Sequence, residues 1–323
     1  MRQGGALDVR VVLPPEERDA LLRAEVRVGL LGRPRQLSPK WFYDACGSDL
    51  FGAITRLPEY YLTRTERAIL VRRAPEIAER TGADTLMELG SGTSDKTRVL
   101  IDALRPRRFV PFDVSEETLR LSGEALRSAY PDMAVEGVVG DFERHLDALP
   151  ADGTRLLAFL GSTIGNLPPA ARAMFLRDVA DVLGPADAFL LGADLVKDPA
   201  RLRAAYDDAA GVTAAFNRNV LHVLNRELEG DADPRRWEHV ARWDPDAEWM
   251  EMSLRSTVPQ RLRLHAVDLD IAVDAGEEIR TEISAKFRRE GLQGELRDAG
   301  LRVDRFWTDP AGDFALVLAR PAH

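Results

Sequence analysis

Between Leu86 and Gly192 the chain alternates short apolar runs with longer stretches in which apolar residues recur at helical spacing. Leu86–Leu89, Arg108–Asp113, Ala134–Val139, Leu156–Leu160 and Phe189–Gly192 read as strands. Lys96–Leu104, Glu116–Tyr130 and Pro169–Leu183 read as helices, the last ended by Gly184 and Pro185. Parallel strands need a long crossover, which a helix supplies, so this rhythm predicts an α/β fold with a doubly wound sheet.

The flanks differ. Pro14 and Pro15 open an amphipathic helix from Glu16 to Leu30, and Thr63 to Arg80 form another that Pro75 is expected to interrupt. Between them, residues 38–62 are aromatic-rich and broken by Pro39, Gly47 and Pro58. After Asp194 the strand–helix rhythm stops: residues 199–229 read as helices, and Glu248–Thr257 and Arg261–Val273 alternate with period two, as antiparallel strands with one wet face do. The rhythm returns with a helix at Arg288–Ala299 and strands at Val303–Trp307 and Phe314–Ala319. The expected organisation is an α/β domain of residues 61–195 and 287–323, with an inserted α+β substrate-recognition domain of residues 196–286 completed by residues 1–60.

Composition narrows the function. With 45% apolar and 30% charged residues in 323, the chain is neither disordered nor fibrous. Its longest apolar stretch, near Ala188–Ala193, is closed by Asp194, far short of the roughly 20 residues a bilayer span needs. Charges from Asp8 to Asp19 leave no signal peptide, and the single cysteine, Cys46, cannot form an intrachain disulfide, so a cytoplasmic protein with no membrane partner is expected. A net charge of −9 suits a small cationic or zwitterionic ligand better than nucleic acid. The five histidines show no ligand spacing, and no metal is expected; a monomer acting on a small molecule is.

Chemistry enters at Glu88-Leu89-Gly90-Ser91-Gly92-Thr93-Ser94-Asp95-Lys96, where a strand runs through a glycine loop into a helix. Glycines let the backbone turn tightly and approach a ligand, and the helix N-terminus favours polar or anionic groups. A nicotinamide dinucleotide would need glycine where Asp95 stands, which would oppose its diphosphate. The acidic residue before the loop, Glu88, instead resembles the first motif of class I S-adenosylmethionine-dependent methyltransferases, with Ser94 at the usual third glycine. Asp113 ends the second strand, where a carboxylate can accept ribose hydroxyls. Gly140-Asp141-Phe142 ends the third, where that family brings a carboxylate to the adenine amino group and an apolar side chain to its ring. One strand-end aspartate alone is better explained as a cap or turn former; acids at three successive strand ends point to a cofactor.

At the fourth strand end, Phe159-Leu160-Gly161-Ser162-Thr163-Ile164-Gly165-Asn166 stands where a doubly wound fold meets its second substrate. Asn166 can both donate and accept without charge, or can cap the helix that follows Pro168. Together with Pro39–Asp44, Leu57–Glu66, Ala205–Asp208, Thr213–Asn219 and Thr308–Phe314, this ordered set resembles the histidine N-alpha-methyltransferases of ergothioneine biosynthesis over nearly the whole chain. The resemblance implies stepwise transfer of three methyl groups from S-adenosylmethionine to the amino group of L-histidine, giving hercynine. It places Gly90, Lys96, Asp113, Asp141 and Phe142 at the cofactor, and Asn166 and Tyr206 at the amino and carboxylate end of the amino acid. It places Tyr60, Glu282 and Ser284 at the imidazole, and Tyr43, Gly161 and Met252 along the pocket, with Tyr43, Asn166 and Gly161 nearest the chemistry.

Glu282 and Ser284 are two apart on a strand-like segment, so both side chains share a face and each can bond one ring nitrogen. Tyr43 and Phe216 are candidates to receive the fixed cation that accumulates with methylation. Three alternatives remain open: a methyltransferase on the same scaffold acting on another amino acid or small amine, a non-catalytic S-adenosylmethionine binder, and a nucleic-acid methyltransferase, which the charge disfavours.

Overall fold

A computed structural model describes residues 7–92 and 96–322. In chain order its elements begin with β1 (Asp8–Val11), α1 (Pro15–Leu31), α2 (Ala45–Ile54), α3 (Leu62–Thr81), β2 (Thr85–Leu89), α4 (Thr97–Leu104) and β3 (Arg108–Asp113). They continue with α5 (Glu116–Ala129), β4 (Ala134–Val139), β5 (Arg155–Phe159), α6 (Pro169–Val182), β6 (Ala188–Asp194), α7 (Pro199–Tyr206) and α8 (Val212–Glu227). Last come β7 (Trp237–Asp244), β8 (Trp249–Ser256), β9 (Gln260–Leu264), β10 (Leu269–Val273), β11 (Glu278–Ala285), α9 (Arg289–Asp298), β12 (Leu301–Thr308) and β13 (Phe314–Pro321). The chain divides into two compact units: Met1–Leu13, Leu62–Val196 and Phe287–His323 form the first, and Pro14–Tyr61 with Lys197–Lys286 form the second.

The first unit is built on one mixed sheet in the order β1-β4-β3-β2-β5-β6-β13-β12. Pairs from β1 to β6 are parallel, and β13 enters antiparallel to both β6 and β12. Every residue of β2, β5 and β6 is buried, which is why these strands read as unbroken apolar runs rather than alternating ones. From β2 the chain moves outward through β3 and β4, then crosses back to β5 on the other side, and such a reversal opens a crevice at the strands' carboxyl ends. Residues 8–11, expected with the substrate domain, instead extend this sheet by pairing with Glu136–Val139. Four residues are too few for a periodic signal, and their partner lies more than a hundred positions away.

Helix α3 also departs from expectation, because it runs through Pro75 without ending. An internal proline costs about 3 kcal/mol. Ile69 and Leu70 before it and Ile77 after it are buried, each contributing about 1.5–3 kcal/mol, so packing on both sides outweighs the break.

The second unit holds an antiparallel sheet, β11-β8-β7, and a hairpin, β10-β9. The single alternating run expected at 261–273 is this hairpin, reversed through a 3-10 turn at His265–Val267 and a left-handed Asp268. β7 carried no clear alternation, yet its residues Trp237–Asp244 pair throughout with β8.

Candidate active site

The carboxyl ends of β2, β3 and β4 are adjacent in the first unit's sheet and carry Glu88, Asp113 and Asp141 in turn. Gly90 and Gly92 adopt φ of +65° and +47°, a backbone shape that turns the loop sharply away from β2, and among the described residues a Cβ on either would meet nothing within 4 Å. The Gly90 N–H donates to the Phe112 carbonyl at 2.8 Å. Asp113 accepts the Gly92 N–H on one oxygen at 3.1 Å and the Ser115 N–H on the other at 3.0 Å. Burial raises its pKa against those N–H bonds, and each oxygen keeps acceptor capacity for a ligand hydroxyl.

Asp141 accepts the Glu143 N–H at 3.0 Å, so its turn-forming role is real and its carboxylate is aimed by it. Phe142 packs edge-on against Phe159 and Phe175, with centroids 5.1 and 5.6 Å away. Ser94 and Asp95, at the third-glycine position, lie outside the described residues. A tightly turned glycine loop and three successive carboxylates fit a cationic sulfonium and amino group joined to a ribose diol, and they oppose a diphosphate.

Glu88 is buried and accepts a hydrogen bond from the Thr97 hydroxyl. Burial raises its carboxyl from 4.5 to about 7, against the Thr97 bond and the Lys96 charge. The folded state therefore holds this proton more tightly than the unfolded one. Stability falls as pH rises through that window, by about 3 kcal/mol once both states are ionised. Glu88→Gln is expected to melt above the wild type at pH 8, with the gap closing by pH 5; thermal melts showing no gap at pH 8 would contradict the assignment.

At the end of β5, Gly161 and Ser162 are consecutive left-handed residues, with φ of +81° and +60°. The second lacks glycine's freedom and is held because its Oγ accepts the Asp194 N–H at 2.9 Å. The Gly161 N–H is held by both oxygens of Glu66, at 2.8 and 3.0 Å. Glu66 is fully buried on α3 and pairs with the Lys96 ammonium, and a Cβ on Gly192 would come within 2.0 Å of its Oε1. Lys96, expected at the cofactor, is thus bound by Glu66 and lies beside Gly161. Glu66 itself was given no role by the sequence, although Leu62, Glu66, Ile69 and Leu70 fall on one helix face, where a carboxylate among core residues needs a partner. Asn166 ends the 3-10 turn Thr163–Asn166, and the N-cap of α6 is Pro168 with no side-chain bond, so the capping alternative for Asn166 fails.

In the second unit a register shift between Arg280 and Glu282 sets Glu282 opposite Met252 of β8. Ser284, two residues on, has its Oγ 2.7 Å from the Tyr206 hydroxyl at the end of α7. The Lys286 ammonium donates to Tyr206 at 2.7 Å and to Ser284 at 2.8 Å, and it sits 4.6 Å from the Tyr206 ring centroid. Two residues expected at opposite ends of the substrate are therefore bonded directly to each other, and both accept from the ammonium of Lys286, for which no role was expected. The continued alternation Glu282, Ser284, Lys286 was its available signal.

Burial raises Glu282 to about 7, with the Lys286 charge pulling it down. The Tyr206 carbonyl accepts the His239 Nε2–H at 2.8 Å, while Nδ1 of that ring takes the Asn217 amide, also at 2.8 Å. Burial lowers the His239 pKa and keeps the ring neutral, as this pairing requires. Edge-on rings continue from Tyr206 to Tyr60 (6.4 Å), Phe51 (6.2 Å) and Tyr43 (5.6 Å). Phe216, only 2% exposed, backs Tyr43 at 5.6 Å and has no open face of its own for a cation.

Among solved structures, a S-adenosylmethionine-dependent methyltransferase from Clostridium acetobutylicum shares the fold, with a TM-score of 0.51 at 12% identity over 85% of this chain and 99% of that one. A Mycolicibacterium smegmatis protein named Histidine N-alpha-methyltransferase is 59% identical over 302 residues, 92% of this chain and 94% of its own. Ergothioneine biosynthesis protein 1 of Neurospora crassa is 32% identical over 85% of this chain and 32% of its own length. The profile of the histidine-specific, SAM-dependent methyltransferases matches residues 22–321, and the chain belongs to that family.

Proposed function

We propose that the protein methylates the α-amino group of L-histidine stepwise, three times, to give hercynine, the first step of ergothioneine biosynthesis. The observation that carries this reading is the pairing on β11 of a carboxyl, Glu282, with a hydroxyl two residues on, Ser284. An acceptor and a donor one strand repeat apart match the two nitrogens of a neutral imidazole, one N–H and one bare. With Ser284 buried and Glu282 half-buried, such a pair penalises amino acids that cannot satisfy it.

S-adenosylmethionine supplies an electrophilic methyl on a sulfonium. Gly90, Lys96, Asp113, Asp141 and Phe142 would hold it, by a backbone turn, an ammonium, two acceptors and a ring. For the acceptor, an α-amino group titrates near about 8, so freeing its lone pair near neutral pH needs orientation more than a strong base. Asn166 and the Tyr206 hydroxyl provide neutral contacts for the amino and carboxylate end, and Gly161, held by Glu66, keeps the loop before Asn166 in one shape. Tyr43 offers a ring face as the amine becomes a fixed cation.

Mass spectrometry of L-histidine incubated with the protein and S-adenosylmethionine is expected to show gains of one, two and three methyl groups. Histidine recovered unchanged would defeat the proposal, and stronger methylation of another amino acid in a parallel panel would redirect it.

A further inference from the structure

Lys286, Tyr206 and Ser284 form a closed triangle inside the second unit, each edge 2.7–2.8 Å, and all three residues are at most 5% exposed. An ammonium only donates, so both hydroxyl oxygens accept from Lys286. The Tyr206–Ser284 contact uses one of the two hydroxyl protons, and the other must go to a third atom. Donation from a charged group strengthens both hydroxyls as donors. Glu282 stands two residues before Ser284 as the neighbouring acceptor.

We propose that Lys286 is a positioning residue: by donating into Tyr206 and Ser284 it fixes the pair so that one hydroxyl donates to the other and the remaining proton is offered to one acceptor atom of the amino acid, its carboxylate or a bare ring nitrogen. The inference rests on the proposed function, since it concerns how histidine is held. Without Lys286 each hydroxyl can rotate to accept as well as donate, and the site loses its fixed polarity. Binding of the amino acid should then weaken while the chemistry of the bound complex changes little.

The test is steady-state kinetics with L-histidine at saturating S-adenosylmethionine for wild type, Lys286→Met, Ser284→Ala and the double variant. Lys286→Met is expected to raise KM for histidine about tenfold, the worth of one charge-assisted hydrogen bond, with kcat within about threefold. In the Ser284→Ala background the same change should raise KM by less than about threefold, because the hydroxyl pair that it polarises is broken and only Tyr206 is left to position. An unchanged KM in Lys286→Met, or an equal rise in both backgrounds, overturns the inference. Should Lys286→Met not fold, Lys286→Gln, which keeps N–H donors without the charge, runs the same cycle with a smaller rise of about threefold, and no rise overturns the inference equally. A wild type that methylates no histidine defeats the proposed function instead, so the two failures are distinct.

Discussion

In Glu66→Ala, kcat/KM for histidine is expected to fall by at least about a hundredfold. The substitution removes the acceptor of the Gly161 N–H and the partner of Lys96 at once. Breaking one side of a buried ion pair costs about 3–5 kcal/mol, part of it in stability and part in the shape of the Gly161–Asn166 loop. That loop cannot relax without consequence, because Gly161 and Ser162 hold left-handed backbone that Glu66 and Asp194 secure from two sides. Glu66→Gln separates the contributions: it keeps an acceptor for Gly161 and loses the charge facing Lys96, and a drop of about tenfold is expected. Wild-type kinetics in Glu66→Ala would show that the loop's shape does not depend on this carboxylate.

Asp113→Ala is expected to weaken S-adenosylmethionine binding by about a hundredfold, measured by calorimetry in the absence of an amino acid. Hydrogen bonds to a charged group contribute about 1.5–3 kcal/mol each, and a carboxylate at this strand end can offer two to a ribose. The same oxygens fasten the glycine loop through Gly92 and the start of α5 through Ser115, so the cradle loosens as well. Asp113→Asn should lose less, about tenfold, because its amide oxygen can still accept one N–H while its amide nitrogen cannot accept the other or a ribose hydroxyl on that side. Unchanged affinity in both variants would remove Asp113 from the cofactor's contacts.

Several features of the fold were legible because they are local. Buried parallel strands announce themselves as apolar runs, amphipathic helices by their period, and the strand ends by glycine and aspartate, so Glu88, Asp113 and Asp141 could be located without coordinates. The two-residue spacing of Glu282 and Ser284 was equally local, needing only a strand. Where expectation and structure part, the missing information was tertiary: β1 is a strand only because β4 accepts it, and α3 continues past Pro75 only because both halves of its apolar face are covered.

The roles of charged core residues follow the same division. Glu66 and the Gly161 it holds are 95 positions apart, and Lys286 and Tyr206 are 80 apart. Local pattern was enough for the doubly wound unit, the acidic strand ends that suit a cationic methyl donor and the polar face of β11, since each depends on neighbours within a few residues. Long-range packing was needed to pair Lys96 with Glu66, to bring Tyr206 and Ser284 to one ammonium, and to set Phe216 behind Tyr43. A buried charge is tolerated only where its partner stands, and that partner is brought there by the fold.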